Sequence, residues 1–266
     1  MTLRPMKIVR LLCLLPCWVA VFAAEPGAPA LRDGEQLTYR VAWGIFGNAG
    51  EIKISAATEV NDKIPNLVVT TTTQTRGVLK RLYPFEAHGE SVFDLRTGRL
   101  LLLTEGSAGG KKKTNIAIEF DYQKSIAAFT DFLNSSRNEK VELPSDGHPM
   151  DLITSLISTR SWDLKPGEAR DIYVVFEKDI YLLTVHALGY ETIETRLGRF
   201  KTVVLEPRME KTAPKGMFKR GSKVHVWIAE DDPRRLPVKF EVEFKFGAGV
   251  ATLIDYQPPT AEAAKP

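Results

Sequence analysis

The sequence predicts an all-β fold: an antiparallel, barrel-like or strongly curved sheet with one short helix. Three observations carry this. Apolar and polar residues alternate with period 2 through most of the chain, as in "QLTYRVAW", where Leu37, Tyr39, Val41 and Trp43 share one face. Runs rich in β-branched residues recur, such as "NLVVTTTTQTR" from Asn66. Turn signals separate strand-like segments every 8–12 residues or so, the rhythm of sandwiches and barrels.

The elements follow in order. After the first strand, "FGNAG" reads as a hairpin turn around Gly47 and Gly50. "HGESVFDL" leads through "RTG" into "RLLLLT", and "EGSAGGKKK" reads as a flexible loop into "TNIAIEFD". "DIYVVFE", "IYLLTVHAL", "ETIETR" and "RFKTVVLEP" are further strands, the last two joined by a turn centred on Leu197-Gly198. "GSKVHVWIAE", "PVKFEVEFKFG" and "VATLIDY" close the series. One segment departs from period 2. In "PMDLITSLISTR", Leu152, Ile153, Leu156, Ile157 and Arg160 recur at helical spacing. Asp151 and Arg160 sit at the ends that suit the helix dipole, so the spacing predicts a helix of about three turns on the sheet or in the barrel mouth.

The ends of the chain differ in composition. Arg4, Lys7 and Arg10 precede "LLCLLPCWVAVFAA", an apolar run of 14 residues, with Val21 and Ala23 at −3 and −1 of a cleavage site. That is the grammar of a signal peptide over residues 1–23, giving a periplasmic product. A flexible leader over 24–32, one β-rich domain over 33–257 and a disordered tail over 258–266 complete the expected organisation. Cleavage lowers Lys plus Arg from 36 to 33, equal to the 33 acids. A neutral mature chain argues against a nucleic-acid partner. It also loses Cys13 and Cys17, the only cysteines, and with them any disulfide or thiolate metal site. No later segment has 18 consecutive apolar residues, so no transmembrane helix is expected in the mature chain.

Four blocks, "GEQLTYRVAWGIFGNAGEIKIS", "DLITSLISTR", "LGRFKTVVLEP" and "KVHVWIAEDDPRRLPVKFEVEFKFGAGVATLIDY", follow in that order. In them the chain resembles the bacterial exported family catalogued as domain of unknown function 3108, over roughly residues 33 to 256. The resemblance implies an exported, β-rich, single-domain protein of Gram-negative type bacteria. It implies no reaction and brings no catalytic residue with it.

Motifs of known chemistry are missing: there is no H-E-x-x-H, G-x-S-x-G, P-loop or G-x-G-x-x-G. The acidic trio Glu230-Asp231-Asp232 lies between two amphipathic strands. Asp232-Pro233 is a natural turn start, with Arg234 and Arg235 placed to neutralise the acids. As a Ca²⁺ site the trio supplies too few of the 6–8 oxygens needed. No cofactor or metal is therefore expected. "GGKKKT" reads as a solvated hairpin tip, the alternative being contact with anionic envelope surfaces.

The expected role is non-enzymatic: binding of a lipid or another apolar or amphipathic ligand inside the barrel. Tyr39, Trp43, Trp227, Phe240 and Phe244 are the candidate ligand-binding residues, Tyr39, Phe240 and Phe244 lying on faces expected to point inward. Two alternatives stand beside it. One is an interaction or assembly factor with a filled core. The other is a hydrolase using Asp231, Asp232 and His225.

Overall fold

The computed structural model describes residues 30–61, 64–109, 113–214, 218, 222–244 and 247–260. The segment expected to be a signal peptide, 1–23, most of the expected leader and the end of the expected tail lie outside the described residues. Among the described residues, fifteen strands form one sheet. The first eight are β1 (Gln36–Trp43), β2 (Phe46–Asn61), β3 (Ile64–Thr75), β4 (Phe85–Asp94), β5 (Leu100–Gly109), β6 (Thr114–Asp121), β7 (Ile126–Asp131) and β8 (Glu139–Glu142). They make an antiparallel meander, with a helical turn α1 (Gly77–Leu82) between β3 and β4.

The chain then crosses to β9 (Met150–Asp151) and a second helix, α2 (Leu152–Ser158). A second meander follows: β10 (Ala169–Phe176), β11 (Asp179–Thr195), β12 (Gly198–Arg208), β13 (Val224–Ala229), β14 (Pro237–Phe244) and β15 (Gly247–Gln257). β15 pairs antiparallel with β1 and so fuses the two meanders, while β9 pairs parallel with β10 at the far edge.

The sheet is open between β8 and β9, and side chains bridge the gap. Lys178 pairs with Glu139, Arg137 lies 4.0 Å from Glu177, and the Tyr173 hydroxyl donates to Asp146 Oδ1 at 2.7 Å. The edge strands are short, four residues in β8 and two in β9, and β9 covers β10 only at Val174 and Val175.

The register gives the molecule two ends. The upper end carries the β1–β2 turn, α1, the ends of β5 and β14 and the starts of β6 and β15. The lower end carries the start of β1, the end of β15 and the β13–β14 connection.

Several local expectations shift. The β1–β2 turn is Gly44-Ile45, where Gly44 takes φ 55°, and Gly47 and Gly50 lie within β2. "EGSAG" is strand, continuing β5 as far as Gly109, whose φ of 93° brings its Cα face against Pro84. A Cβ there would stand 2.1 Å from the Pro84 carbonyl oxygen, so only glycine fits. The β11–β12 turn is Arg196-Leu197, one residue earlier than expected. α2 is seven residues, extended by a 3₁₀ turn over Thr159–Ser161. The leader is ordered at its end: Leu31 is buried in the core and Ala30 contacts the α2 segment. In the tail, the Thr260 amide donates to the Asp33 carbonyl.

The main core fills the lower half and the flanks of the barrel, with Leu37, Ile54, Leu67, Phe93, Leu100, Ile118 and Leu253 all fully buried. Above it, the helix and the wall part.

Candidate functional site

α2 runs inside the barrel from the upper region towards the lower end. Its start is fixed by Asp151, whose carboxylate accepts the Thr154 amide at 2.8 Å as an N-cap and the Ser91 hydroxyl of β4 at 2.7 Å. Its far end is fixed by a buried ion pair. Arg160, in the 3₁₀ turn, donates Nη1 and Nη2 to the two carboxylate oxygens of Glu35, both at 2.7 Å, and Nη2 also donates to the Ala30 carbonyl. Glu35 is fully buried and also accepts from the Tyr256 hydroxyl and the Arg32 amide. Arg235 then donates to the carbonyls of Arg160 and Trp162. This network closes the lower end.

Two cavities flank α2 in the upper half, and Ile153 lines both. The first, about 250 Å³, is walled by Tyr39, Val41, Ile52, Phe240, Val242 and Ala251 of the sheet, with Leu152, Ile153 and Leu156 of the helix. Almost every atom lining it is apolar. Tyr39 directs its only polar atom away, donating its hydroxyl to the Pro237 carbonyl at 2.8 Å, while its ring meets Phe240 edge-on at 5.2 Å. Burial raises the Tyr39 phenol well above its ordinary range, so it stays neutral.

The second cavity, about 450 Å³, is the more polar of the two, although most of its lining surface is apolar. Thr71, Thr73, Ser91, Glu105, Ser107 and Asp151 line it, and Tyr83 and Phe85 stand at its upper rim. The wall here is hollow because its inward residues are small: threonines on β3, Ala87, Gly89 and Ser91 on β4, Ser107 on β5. Burial, then the charges of Asp151 and Glu177, push the Glu105 carboxyl above its ordinary value. A cavity with two inward acids favours hydroxyl, amide or ammonium groups and disfavours anions. A wider concavity of about 690 Å³ lies over Thr72, Gln74, Glu86 and Ala108, but on the outer side of the same wall and open to solvent.

The five aromatic candidates divide. Tyr39 and Phe240 stand on the apolar cavity wall. Trp43 lies at the exposed tip of the β1–β2 hairpin, where the strand has run past the core. Trp227 is buried, but on the outer face: its Nε1 donates to Glu191 at 2.9 Å and the Lys239 ammonium sits 3.9 Å from the ring centre. Its strand turns Val224, not Trp227, towards the cavity. The side chain of Phe244 lies outside the described residues.

The acidic trio forms the β13–β14 connection. Asp232 accepts from the Arg234 amide at 2.9 Å and Nε at 2.8 Å, and the hydrogen-bonded Arg234 guanidinium holds its carboxyl below the ordinary range. Asp231 accepts the Lys201 amide at 3.0 Å, and Glu230 pairs with Arg235 at 2.7 Å. His225 lies towards the other end of β13, its ring 5.7 Å from that of Trp227. The three proposed hydrolase residues are not brought together. Among the described residues, no group of three or more His, Cys, Asp or Glu side chains is arranged to hold a metal ion.

The polar cavity was not foreseen. Reading "EGSAG" as a loop took Glu105 and Ser107 off the wall. The signal was weak, since the four leucines before it do not alternate and Glu105 and Ser107 place no apolar residue on the face of Leu103.

The chain is similar to several solved structures, one of which is similar at the level of the fold. A β-barrel-like protein of domain of unknown function DUF1849 from Brucella abortus superposes with a TM-score of 0.51 at 5% identity, over 85% of this chain and 98% of that one. A proposed exported protein with YmcC-like fold from Bacteroides fragilis gives 0.35 at 12% identity, over 86% and 97%. A proposed lipoprotein from Parabacteroides distasonis gives 0.35 at 8% identity, over 88% and 100%. No curated protein matches the chain. The family model described as "Protein of unknown function (DUF3108)" matches residues 38–254, from inside the first strand to inside the last, and the chain belongs to that family.

Proposed function

We propose that this protein binds an amphipathic molecule inside its barrel, without catalysing a reaction, in the periplasm. The observation that carries the reading is the unfilled apolar cavity between α2 and the wall formed by β1, β2 and β13–β15. Protein interiors are close-packed, and a void forfeits the dispersion contacts of every side chain around it. A 250 Å³ apolar void is larger than the roughly 150 Å³ that admits benzene in an engineered core. It would take a ring or a short stretch of acyl chain. The polar cavity across Ile153 supplies hydrogen-bonding partners for a head group, with Glu105 and Asp151 favouring a neutral polyhydroxyl or an amine over a phosphate.

The test is native mass spectrometry and solvent extraction of protein purified without detergent. Co-purification of one amphipathic species, displaced by a fluorescent short-chain amine, supports binding. Protein that is repeatedly empty and takes up no probe would leave an interaction factor acting through its surface.

A further inference from the structure

The upper end carries an apolar surface that no part of the described chain covers. Ile45, at the tip of the β1–β2 hairpin, is 93% exposed, flanked by Trp43 at 53% and Phe46 at 36%. α1 packs beside this hairpin: the Arg76 amide donates to the Ala49 carbonyl at 2.9 Å, and Gly77 lies against the Asn48 carbonyl. The helix buries none of its residues. Val78 and Leu82, one turn apart and so on one face, are 62% and 71% exposed, and Tyr83 continues the patch at 48%. Six large apolar side chains at one end are not scattered surface residues.

Charge decides among occupants. Lys80 and Arg81 are exposed in the last turn of α1, with no carboxylate partner among the described residues, and exposed Lys113 tops β6 at the same end. Arg76 is matched by Glu51 at 2.8 Å. The patch is formed by a hairpin tip and by a short helix that buries none of its residues. Exposed aromatic and aliphatic side chains beside the cations Lys80 and Arg81 suit the interface of an anionic bilayer.

We propose that this end docks on an anionic lipid surface, with Trp43, Ile45, Phe46, Val78, Leu82 and Tyr83 entering the interface and Lys80 and Arg81 meeting the head groups. Tyr83 belongs both to this surface and to the rim of the polar cavity, so docking would bring the cavity mouth to the membrane. The surface lies outside the cavities, and the inference does not depend on what they hold.

Co-sedimentation with vesicles of 30% phosphatidylglycerol in phosphatidylethanolamine tests it, using residues 24–266 at low and high salt. Binding is expected at low salt, weakened by salt, and absent with purely zwitterionic vesicles. Lys80→Gln with Arg81→Gln should weaken it about thirtyfold, at roughly fivefold per neutralised charge. Trp43→Ser with Ile45→Ser should abolish it while leaving Tm unchanged, because these side chains are exposed in the free protein. Three results would overturn the proposal: no vesicle binding, equal binding by these variants, or a dimer in sedimentation velocity that the Trp43/Ile45 variant dissolves, which would make a second copy the occupant.

Discussion

Replacing Arg160 by Met should unfold the protein far more easily, and the effect can be worked from the ion pair it breaks. Arg160 is 5% exposed and Glu35 is fully buried. Met keeps most of the packing volume but leaves Glu35 with only the Tyr256 hydroxyl at 3.2 Å and the Arg32 amide at 3.1 Å. Breaking a buried pair in this way costs about 3–5 kcal/mol. The cost should therefore be roughly 4 kcal/mol. In a domain of this size that corresponds to a fall in Tm of about 8–16 °C. Urea unfolding followed by tryptophan fluorescence should show a lower midpoint with an unchanged slope. The double variant Glu35→Gln with Arg160→Met should recover most of the loss, since no charge is left buried. A single variant within about 1 kcal/mol of the parent, or a double variant no more stable than the single one, would refute the claim that this pair holds the end of α2.

Two other carboxylates give predictions of opposite sign. Asp232 is held below its ordinary range by hydrogen bonds from Arg234, so it contributes stability that is present above about pH 4 and lost as pH falls through its folded value. Asp232→Asn should cost about 1.5–3 kcal/mol at pH 7, the gap in urea midpoint closing in acid. Glu105 is raised, mainly by burial, so the folded state binds its proton more tightly and stability falls as pH rises through the window between the unfolded and folded values. Glu105→Gln should therefore raise Tm at pH 7, and the advantage should vanish below about pH 4, which paired thermal melts would reveal.

The strands were legible because a half-buried sheet writes period 2 into its sequence, as in Val224, Val226 and Ile228 against Lys223, His225 and Trp227. α2 was legible for the same reason, and Asp151 marked its start. What alternation leaves open is which face is concave and how far it is filled. Tyr39 and Trp43 share a face of β1, yet Tyr39 reaches the cavity and Trp43 overhangs the rim, because the curl of the sheet ends between them. Trp227 shows a second limit. A large aromatic on the polar face of a strand is still buried when Glu191 and Lys239 cover it. The cavity itself depends on pairings distant in sequence: β15 with β1, and Arg160 with Glu35 across 125 positions. No local pattern encodes those. The hollow on the β3–β6 side comes from small residues, and small residues in sequence read as loop.

The central claim is that the space beside α2 holds part of a ligand, and filling it from within tests this most directly. Titration of detergent-free protein with a fluorescent short-chain amine should give saturable, one-to-one binding. Ala251→Leu and Val41→Phe, both on the cavity wall, should each weaken that binding at least about tenfold while the protein stays folded. Binding that is unchanged in both folded variants, or absent from the parent, would contradict the account.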